Sequence, residues 1–415
     1  MTTHTAQDTP ACAGGQPAKT TPFGREARYG SDELRELEEA LAQGTLFYAQ
    51  GKKVRQFEAA FAAQNDVGYA IACSSGTAAI HAALIAVGIS PGDEVILAPI
   101  TDMGSAVPIL YQGAVPVFAD LDPRTYTLDP DAVAAAITPR TRAVLAVHLW
   151  GNACDLTALA ALCQKHGIAL IEDCAQALGC TYLGRPIGTW GAMGCFSLNE
   201  FKHISCGDGG IVLTNDPELA ERLRLATDKA YNRRPDAVVK TPAFLAGNYR
   251  MTELQGAVAG AQLHKLDSIV ARRRAWCMAL SDWLQDLPGI AVPVPTTGCD
   301  PSWWFYLLQV DPAVLGADAD TFAEALHAEG LPVGAHYIGV CLYEYPVFTH
   351  HSAFARGEHA YNDRPYTHGL CPNAERILAN GVMLAINEAY TTTDLEETAR
   401  AFHRVANWFR ATLAR

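Results

Sequence analysis

Three segments decide the fold: Ile-Glu-Asp-Cys-Ala-Gln-Ala at 171–177, Phe-Ser-Leu-Asn-Glu-Phe-Lys at 196–202 and Gly-Asp-Gly-Gly-Ile-Val-Leu-Thr-Asn-Asp at 207–216. Asp173 follows the apolar run Ile168–Ile171, which predicts a buried parallel strand. Its carboxylate is therefore expected at the carboxyl end of that strand, where open α/β sheets bind their ligands. Lys202 comes after a second short strand, and the glycines that follow allow a sharp backbone turn. We expect Lys202 and Asp173 to face one pocket.

A lysine, a carboxylate and a hydroxyl group in this arrangement suit one kind of chemistry. A buried carboxylate is costly without a cationic partner, and a protonated pyridine nitrogen is such a partner for Asp173. Lys202 can form a Schiff base with an aldehyde, and Ser197 can bind a phosphate group. Singly, a solvated lysine and a turn-forming aspartate are ordinary features of proteins. Jointly, the residues predict a pyridoxal 5'-phosphate (PLP) site in which Lys202 and Asp173 are catalytic.

From Tyr69 onward, short apolar or β-branched runs alternate with helical stretches. These runs are Tyr69–Cys73, Glu94–Pro99, Val115–Asp120, Ala143–Trp150 and Ile168–Asp173. Strands that alternate with helices predict a mostly parallel sheet with helices on both faces.

The first of these strands leads into Ser-Ser-Gly-Thr-Ala-Ala at 74–79, directly before a helix. Backbone N–H groups and the helix dipole attract anions at such a position. Gly76 and Thr77 are therefore predicted to hold the cofactor phosphate. The same residue types also occur as ordinary helix caps.

Composition limits the choice of partners and of location. The chain has 415 residues with 31 basic and 44 acidic side chains, so its net charge of −13 argues against binding to nucleic acid. It has no run of about 18 apolar residues, so we expect no membrane span. The twelve cysteines are scattered, without a Cys-x-x-Cys pair, which predicts reduced core thiols, a cytoplasmic location and no metal site.

The length predicts one large domain and a smaller one, because single cores stop growing at about 250 to 300 residues. Residues 1–22 are rich in Thr, Ala, Gly and Pro and lack an apolar core, which predicts a disordered leader rather than a signal peptide. We expect a large cofactor-binding domain at 23–265, including an N-terminal helical segment. Residues 266–415 are expected to form a small α+β domain.

The string Asn-Tyr-Arg-Met-Thr-Glu-Leu-Gln at 248–255, together with the spacings Asp-x-x-Gln at 173–176 and Ser-x-x-x-x-Lys at 197–202, resembles one protein family. This is the DegT/DnrJ/EryC1/StrS family of PLP-dependent sugar and cyclitol aminotransferases. The match runs from about Phe23 to the C-terminus. It implies an α/β fold of the aspartate aminotransferase (type I) kind, with a mostly parallel large-domain sheet and a smaller C-terminal α+β domain.

The resemblance also implies roles for individual residues. Lys202 would carry the cofactor, Asp173 would face the pyridine nitrogen, Gln176 would lie near the ring O3' and Ser197 would bind the phosphate. Asn248 would reach across a dimer interface to the partner's phosphate, which implies a homodimer with shared active sites.

Four residues are candidates for substrate contacts. Arg250 would lie close to the site, or it forms a structural ion pair. Trp150 ends a strand and would border the substrate pocket or simply pack, and His336 resembles a pocket histidine of the family or is a core or rim residue. Asp102 departs from the family, which usually has a ring-stacking aromatic residue there. Either Met103 covers the ring, or Asp102 contacts the substrate, or the replacement is harmless.

The function implied is transfer of an amino group from glutamate or glutamine to a keto-sugar or keto-cyclitol. Such a reaction belongs to the biosynthesis of an amino sugar or an aminoglycoside-type antibiotic. Two alternatives are a PLP enzyme of the dehydratase or oxidase type and a non-catalytic regulatory protein on the same fold. Dehydratase relatives have histidine in place of the lysine, so Lys202 favours the aminotransferase.

Overall fold

Strands and helices alternate through most of the chain in the computed structural model, which describes residues 9–233, 237, 241–355 and 359–413. The strands are β1 Tyr69–Cys73, β2 Glu94–Leu97, β3 Val115–Phe118, β4 Thr141–Val147, β5 Ala169–Asp173, β6 Thr181–Tyr182, β7 Arg185–Pro186, β8 Met193–Ser197, β9 Gly210–Thr214, β10 Ile290–Ala291, β11 Cys299–Asp300, β12 Phe305–Val310, β13 Val333–Ala335 and β14 Gly381–Ala385.

The α-helices are α1 Ser31–Ala42, α2 Lys53–Gln64, α3 Gly76–Val87, α4 Met103–Tyr111, α5 Pro130–Ala136, α6 Leu156–His166, α7 Pro217–Thr227, α8 Glu253–Leu263, α9 Leu266–Leu284, α10 Pro312–Leu315, α11 Ala319–Ala328, α12 Pro346–Thr349, α13 Pro372–Asn380 and α14 Thr392–Leu413. Within the described ranges, no helix has the length and apolar character needed to cross a bilayer.

The central sheet has seven strands in the order β1-β9-β8-β5-β4-β2-β3. Strand β9 runs antiparallel to both of its neighbours, and the other neighbouring strands pair in parallel. Strands β2, β3, β8 and β9 are buried along their whole length, as a sheet covered on both faces requires. The predicted mostly parallel sheet is therefore confirmed.

The register of this sheet brings three strand ends to one edge. Cys73 and Ser197 both pair with Gly210, on opposite sides of β9. The parallel pairing of β5 with β8 brings Asp173 to the same edge. A side chain at position 210 would approach the Ser75 carbonyl oxygen to 2.2 Å, so only glycine lets β9 pass the turn that precedes α3.

A second, antiparallel sheet has the order β10-β12-β14-β13, and a small third sheet has the order β11-β6-β7. Helix α14 packs against α9 and α11, with Leu395, Phe402 and Val405 buried. This arrangement matches the α+β organisation predicted for the C-terminal part. The domain boundary near residue 265 stays a prediction.

The C-terminal part also covers the edge strand β3 of the central sheet. The ring of Phe118 contacts the rings of Tyr343, Phe348 and Tyr366 at centroid distances of 5.5, 5.3 and 5.9 Å. The Tyr366 hydroxyl donates to the Pro116 carbonyl oxygen at 2.8 Å. These contacts protect an edge that would otherwise expose unpaired backbone groups.

Residues 9–22 do not form the disordered leader that we predicted. Lys19 lies buried between Asp394 and Glu397, with its Nζ 2.7 Å from a carboxylate oxygen of each. The prediction failed because it relied on the scarcity of apolar residues, whereas this segment is held by buried ion pairs. Residues 1–8 lie outside the described part of the chain.

Replacing Lys19 by methionine would leave two buried carboxylates without their cation. We expect Lys19→Met to lower the free energy of unfolding by about 3 to 5 kcal/mol, because one partner of a buried ion pair is removed. The exposed Lys52→Met is the matched control and should change it by less than about 0.5 kcal/mol. Chemical denaturation monitored by circular dichroism measures both, and equal values for the two variants would contradict the structure.

The same cluster predicts a dependence of stability on pH. Burial opposes ionisation of Glu397, but the hydrogen bonds from Lys19, Thr20 and Thr21 together outweigh it and lower the pKa of Glu397 to about 2. A carboxylate with a lowered pKa stabilises the fold above the unfolded-state pKa of about 4.3, and this stabilisation is lost as the pH falls towards 2. Denaturation curves between pH 6 and 2 should therefore show a smaller loss of stability for Lys19→Met than for the unmodified chain.

Candidate active site

A cavity of about 240 Å³ lies at the edge where β1, β5 and β8 end. Seven of the residues predicted for the site line it: Gly76, Thr77, Asp102, Asp173, Gln176, Ser197 and Lys202. The pocket expected between Lys202 and Asp173 is therefore present.

Asp173 is buried and lacks a strong cationic partner. Its Oδ2 accepts a hydrogen bond from the Ser105 hydroxyl at 2.6 Å, and its Oδ1 accepts one from the Ala175 N–H at 3.1 Å. No described lysine, arginine or histidine forms an ion pair with it. Burial raises the pKa of Asp173, against the effect of these hydrogen bonds and of the nearby Lys202 charge. A cation presented from the cavity would stabilise the ionised form.

Glu172, the neighbour of Asp173, holds the end of β5 in place. Its carboxylate accepts hydrogen bonds from the backbone N–H groups of Gly188, Trp190 and Gly191, at 2.6 to 2.8 Å. It also lies 3.2 Å from Nε2 of the buried His148. His148, Glu172 and Cys174 lie close enough together to hold a metal ion. Both carboxylate oxygens of Glu172, however, already accept hydrogen bonds from these backbone N–H groups. The network therefore positions Asp173.

Lys202 reaches into the cavity from the turn after β8. Burial lowers the pKa of Lys202 to about 8, although the carboxylates of Asp173 and Asp102 oppose the shift. A lysine with such a pKa is partly neutral near pH 7 to 8, so it can act as a nucleophile and as a base.

Two helices begin at the cavity, and residues of their first turns line it. Helix α3 begins at Gly76, and a side chain there would approach the Ser197 Cβ to 2.7 Å. Helix α4 begins close by, where a side chain at Gly104 would approach the Thr77 Oγ1 to 2.6 Å. These glycines let two helix ends and a hydroxyl group converge, which suits a phosphate dianion.

Gln176 lies between the two parts of the chain. Its Nε2 donates a hydrogen bond to the Tyr337 hydroxyl at 3.2 Å, and its Oε1 accepts one from the Trp150 N–H at 3.0 Å. The Trp150 side chain is fully buried and donates through Nε1 to the Thr125 carbonyl oxygen at 3.1 Å. Trp150 therefore packs and orients Gln176, and it does not line the cavity, so the packing alternative describes its side chain.

Asp102 lines the cavity, but it also caps a helix. Its Oδ1 accepts a hydrogen bond from the Gly104 N–H at 2.7 Å, at the start of α4. Met103, the candidate for covering the ring, does not line the cavity.

Three other predicted residues lie outside the cavity. Arg250 forms an ion pair with the buried Asp228, with its Nη1 2.5 Å from Oδ1. Of the two alternatives for Arg250, a place close to the site or a structural ion pair, the ion pair describes its contact in this chain. His336 pairs with Asp320 at 3.0 Å, which raises its pKa. Asn248 is exposed, and its backbone pairs with Asp228.

Sequence reasoning missed three residues that contact the predicted site. Ser105 binds Asp173, Tyr337 binds Gln176, and the ring of Trp304 lies over the Lys202 amine. Ser105 follows a predicted strand end, which was a usable signal. Tyr337 and Trp304 come from the C-terminal part, and no local pattern marked them.

The comparisons with known proteins agree with this geometry. The chain matches the model of the DegT/DnrJ/EryC1/StrS aminotransferase family over residues 28–403, and it belongs to this family. It is 37% identical over 327 residues to the spore coat polysaccharide biosynthesis protein SpsC of Bacillus subtilis (strain 168), covering 76% of this chain and 83% of that protein.

Similar solved structures have the same fold. DesV of S. venezuelae is 34% identical, with a TM-score of 0.79 and coverage of 91% of this chain and 94% of its own. DesI, solved in the presence of its TDP-sugar product, is 31% identical, with a TM-score of 0.82. The match covers 98% of this chain and 99% of the DesI chain. The protein is therefore a PLP-dependent aminotransferase with the predicted fold.

The residues of the cavity fit this cofactor. Asp173 is a buried carboxylate without a strong cationic partner, Lys202 supplies an amine of lowered pKa, and the ends of α3 and α4 suit a phosphate group.

The close contact of α3 with Ser197 predicts the effect of a single methyl group. Gly76→Ala should push the start of α3 away from Ser197 and weaken PLP binding by about tenfold or more, a loss of roughly 1.4 kcal/mol. Gly260→Ala is the control, because nothing lies within 4 Å of its added Cβ. Equilibrium titration of the cofactor-free protein with PLP gives both affinities, and unchanged binding by Gly76→Ala would argue against this cradle.

The lowered pKa of Lys202 can be measured directly. We expect reductive methylation of Lys202 in the cofactor-free chain to rise with pH around a midpoint near 8. Mass spectrometry of the Lys202 peptide gives the labelled fraction at each pH. A midpoint for Lys202 near the ordinary lysine pKa of about 10.4 would contradict a desolvated amine in the cavity.

Proposed function

We propose that this enzyme transfers an amino group from glutamate or glutamine to a ketone carbon of a sugar or cyclitol. The observation that carries the proposal is the meeting of Lys202 and Asp173 in one cavity of a chain that belongs to an aminotransferase family. The dehydratase-type alternative has histidine in place of the lysine, and a non-catalytic scaffold has no need for both groups.

The roles of the residues follow from their positions. Asp173 would hold the proton on the pyridine nitrogen, and Ser105 and the Ala175 N–H keep its carboxylate oriented. Lys202 would attach the cofactor and then, as a free amine, move a proton between the substrate carbon and the cofactor. PLP, when bound, supplies the electron sink for this chemistry. Thr77, Ser197 and the start of α3 would hold the phosphate group.

The acceptor class is supported by relatives. DesI was solved in the presence of its TDP-sugar product, and SpsC is a spore coat polysaccharide biosynthesis protein. We extend a sugar or cyclitol acceptor to this chain on their similarity. Assignment to an amino sugar or aminoglycoside-type antibiotic pathway, and to the cytoplasm, belongs to the same proposal. The twelve cysteines of the chain form no disulfide in the structure, and free thiols suit a reducing compartment.

A homodimer with shared sites is part of the proposal. Asn248 lies outside the cavity of its own chain and is exposed. Asn248 would therefore bind the phosphate in the partner subunit's site.

The catalytic roles can be tested through two substitutions. Lys202→Ala should abolish the Schiff-base absorbance band and lower kcat by about 10²- to 10⁴-fold, because the amine that attaches the cofactor and carries the proton is removed. Asp173→Asn should retain binding but lower kcat by about 10²-fold or more, because the charge opposite the ring nitrogen is lost.

The substrate side needs a separate assay. The chain is incubated with each amino donor and then with keto-sugars or keto-cyclitols, and mass spectrometry detects the aminated product. Lys52→Ala is the control for a lysine outside the site. Failure of both glutamate and glutamine to convert the cofactor to its amine form would overturn the proposed donors.

A further inference from the structure

We propose that Trp304 is a positioning residue for Lys202, whose indole face holds the lysine amine at a fixed place in the site. The Lys202 Nζ lies 3.7 Å from the centroid of the Trp304 ring. This inference deepens the proposed function, since it assigns a support to the residue that would carry the proton.

Trp304 is anchored from three directions. Its Nε1 donates a hydrogen bond to the carbonyl oxygen of Phe201, the residue before Lys202, at 2.7 Å. Its backbone N–H donates to the Trp150 carbonyl oxygen at 2.9 Å, and its own carbonyl oxygen accepts from the Arg273 Nη1 at 3.2 Å. The indole is therefore fixed relative to both the lysine-bearing turn and the C-terminal part, and it can define where the amine rests.

The contact has a defined effect on the charge of the lysine. An ammonium group over an indole face is attracted by the negative face of the ring, and this attraction grows when the pair is shielded from water. Burial acts in the opposite sense by disfavouring the ammonium form. The other charged groups that face Lys202 are Asp173 from β5 and Asp102 from the start of α4.

Two more groups near Lys202 have other partners. Asp208, which also lines the cavity, accepts a hydrogen bond from Asn199 at 3.0 Å. The buried His203 has its Nε2 3.0 Å from the Ser302 carbonyl oxygen, and burial and nearby positive charges lower its pKa. Among the described residues, Trp304 is the aromatic residue whose ring lies over the Lys202 amine.

A fixed resting place matters because the amine changes its charge during the reaction. It must be neutral to accept a proton and becomes an ammonium group once it has done so. An indole face stabilises the ammonium form without supplying an acceptor that would take the proton away. Trp304 would thus keep the protonated amine in the site, aimed at the position to which the proton returns.

The test measures the pKa of Lys202 in variants of the full-length protein. Formaldehyde with a borane reductant labels amines, and mass spectrometry of the Lys202 peptide gives the labelled fraction at each pH. Trp304→Leu should lower the pKa of Lys202 from about 8 and raise its labelling at pH 7 by roughly 2- to 8-fold, because the ammonium form loses its aromatic partner. Trp304→Phe should lie closer to the unmodified chain, since it keeps an aromatic face.

The measurement is made on the cofactor-free chain and repeated with pyridoxamine 5'-phosphate bound, which leaves the lysine amine free. Trp283→Leu on α9 is the matched control: this tryptophan is 43% exposed, and its removal should leave the Lys202 titration unchanged. Thermal unfolding confirms that each variant is folded.

An unchanged or higher pKa of Lys202 in Trp304→Leu would overturn the inference, because Trp304 would then only exclude water. This outcome is distinguishable from failure of the proposed function, since labelling needs no turnover. If Trp304→Leu shifts the titration but no amino transfer occurs with any acceptor, the proposed substrates are wrong and the positioning role stands.

Discussion

The arrangement of the site depends on one buried carboxylate. Asp173 sits at the carboxyl end of β5 with hydrogen bonds but no described ion-pair partner, and burial disfavours its charged form. A protonated pyridine nitrogen is the cation that would relieve this cost. The same burial in the cavity lowers the pKa of Lys202, so desolvation prepares both the acid and the amine.

Rigid backbone contacts keep these groups in register. Glu172 ties the end of β5 to the backbone at 188–191, while Gly210 allows β9 to join the ends of β1 and β8. Gly76 brings the start of α3 against Ser197. A phosphate group bound at this end would be held mainly by backbone groups, which lose little conformational entropy on binding.

The C-terminal part contributes to the site as well as to stability. Tyr337 contacts Gln176, and Trp304 contacts Lys202, so two of the predicted cofactor residues meet side chains from beyond residue 265. The aromatic cluster around Phe118 and the ion pairs of Lys19 join other distant segments of the chain. Such contacts make the geometry of the cavity dependent on the whole fold.

The sequence by itself determined the parallel sheet, the strand that carries Asp173, the turn that carries Lys202 and the small residues before α3. Each of these is a local pattern, because strand periodicity, turn glycines and helix starts involve neighbours along the chain. Only the tertiary structure decided that Trp150 packs inward, that Arg250 pairs with Asp228, and that the segment with Lys19 is ordered. Those outcomes rest on partners far away in sequence, and no local pattern specifies which distant charge or ring a side chain will meet.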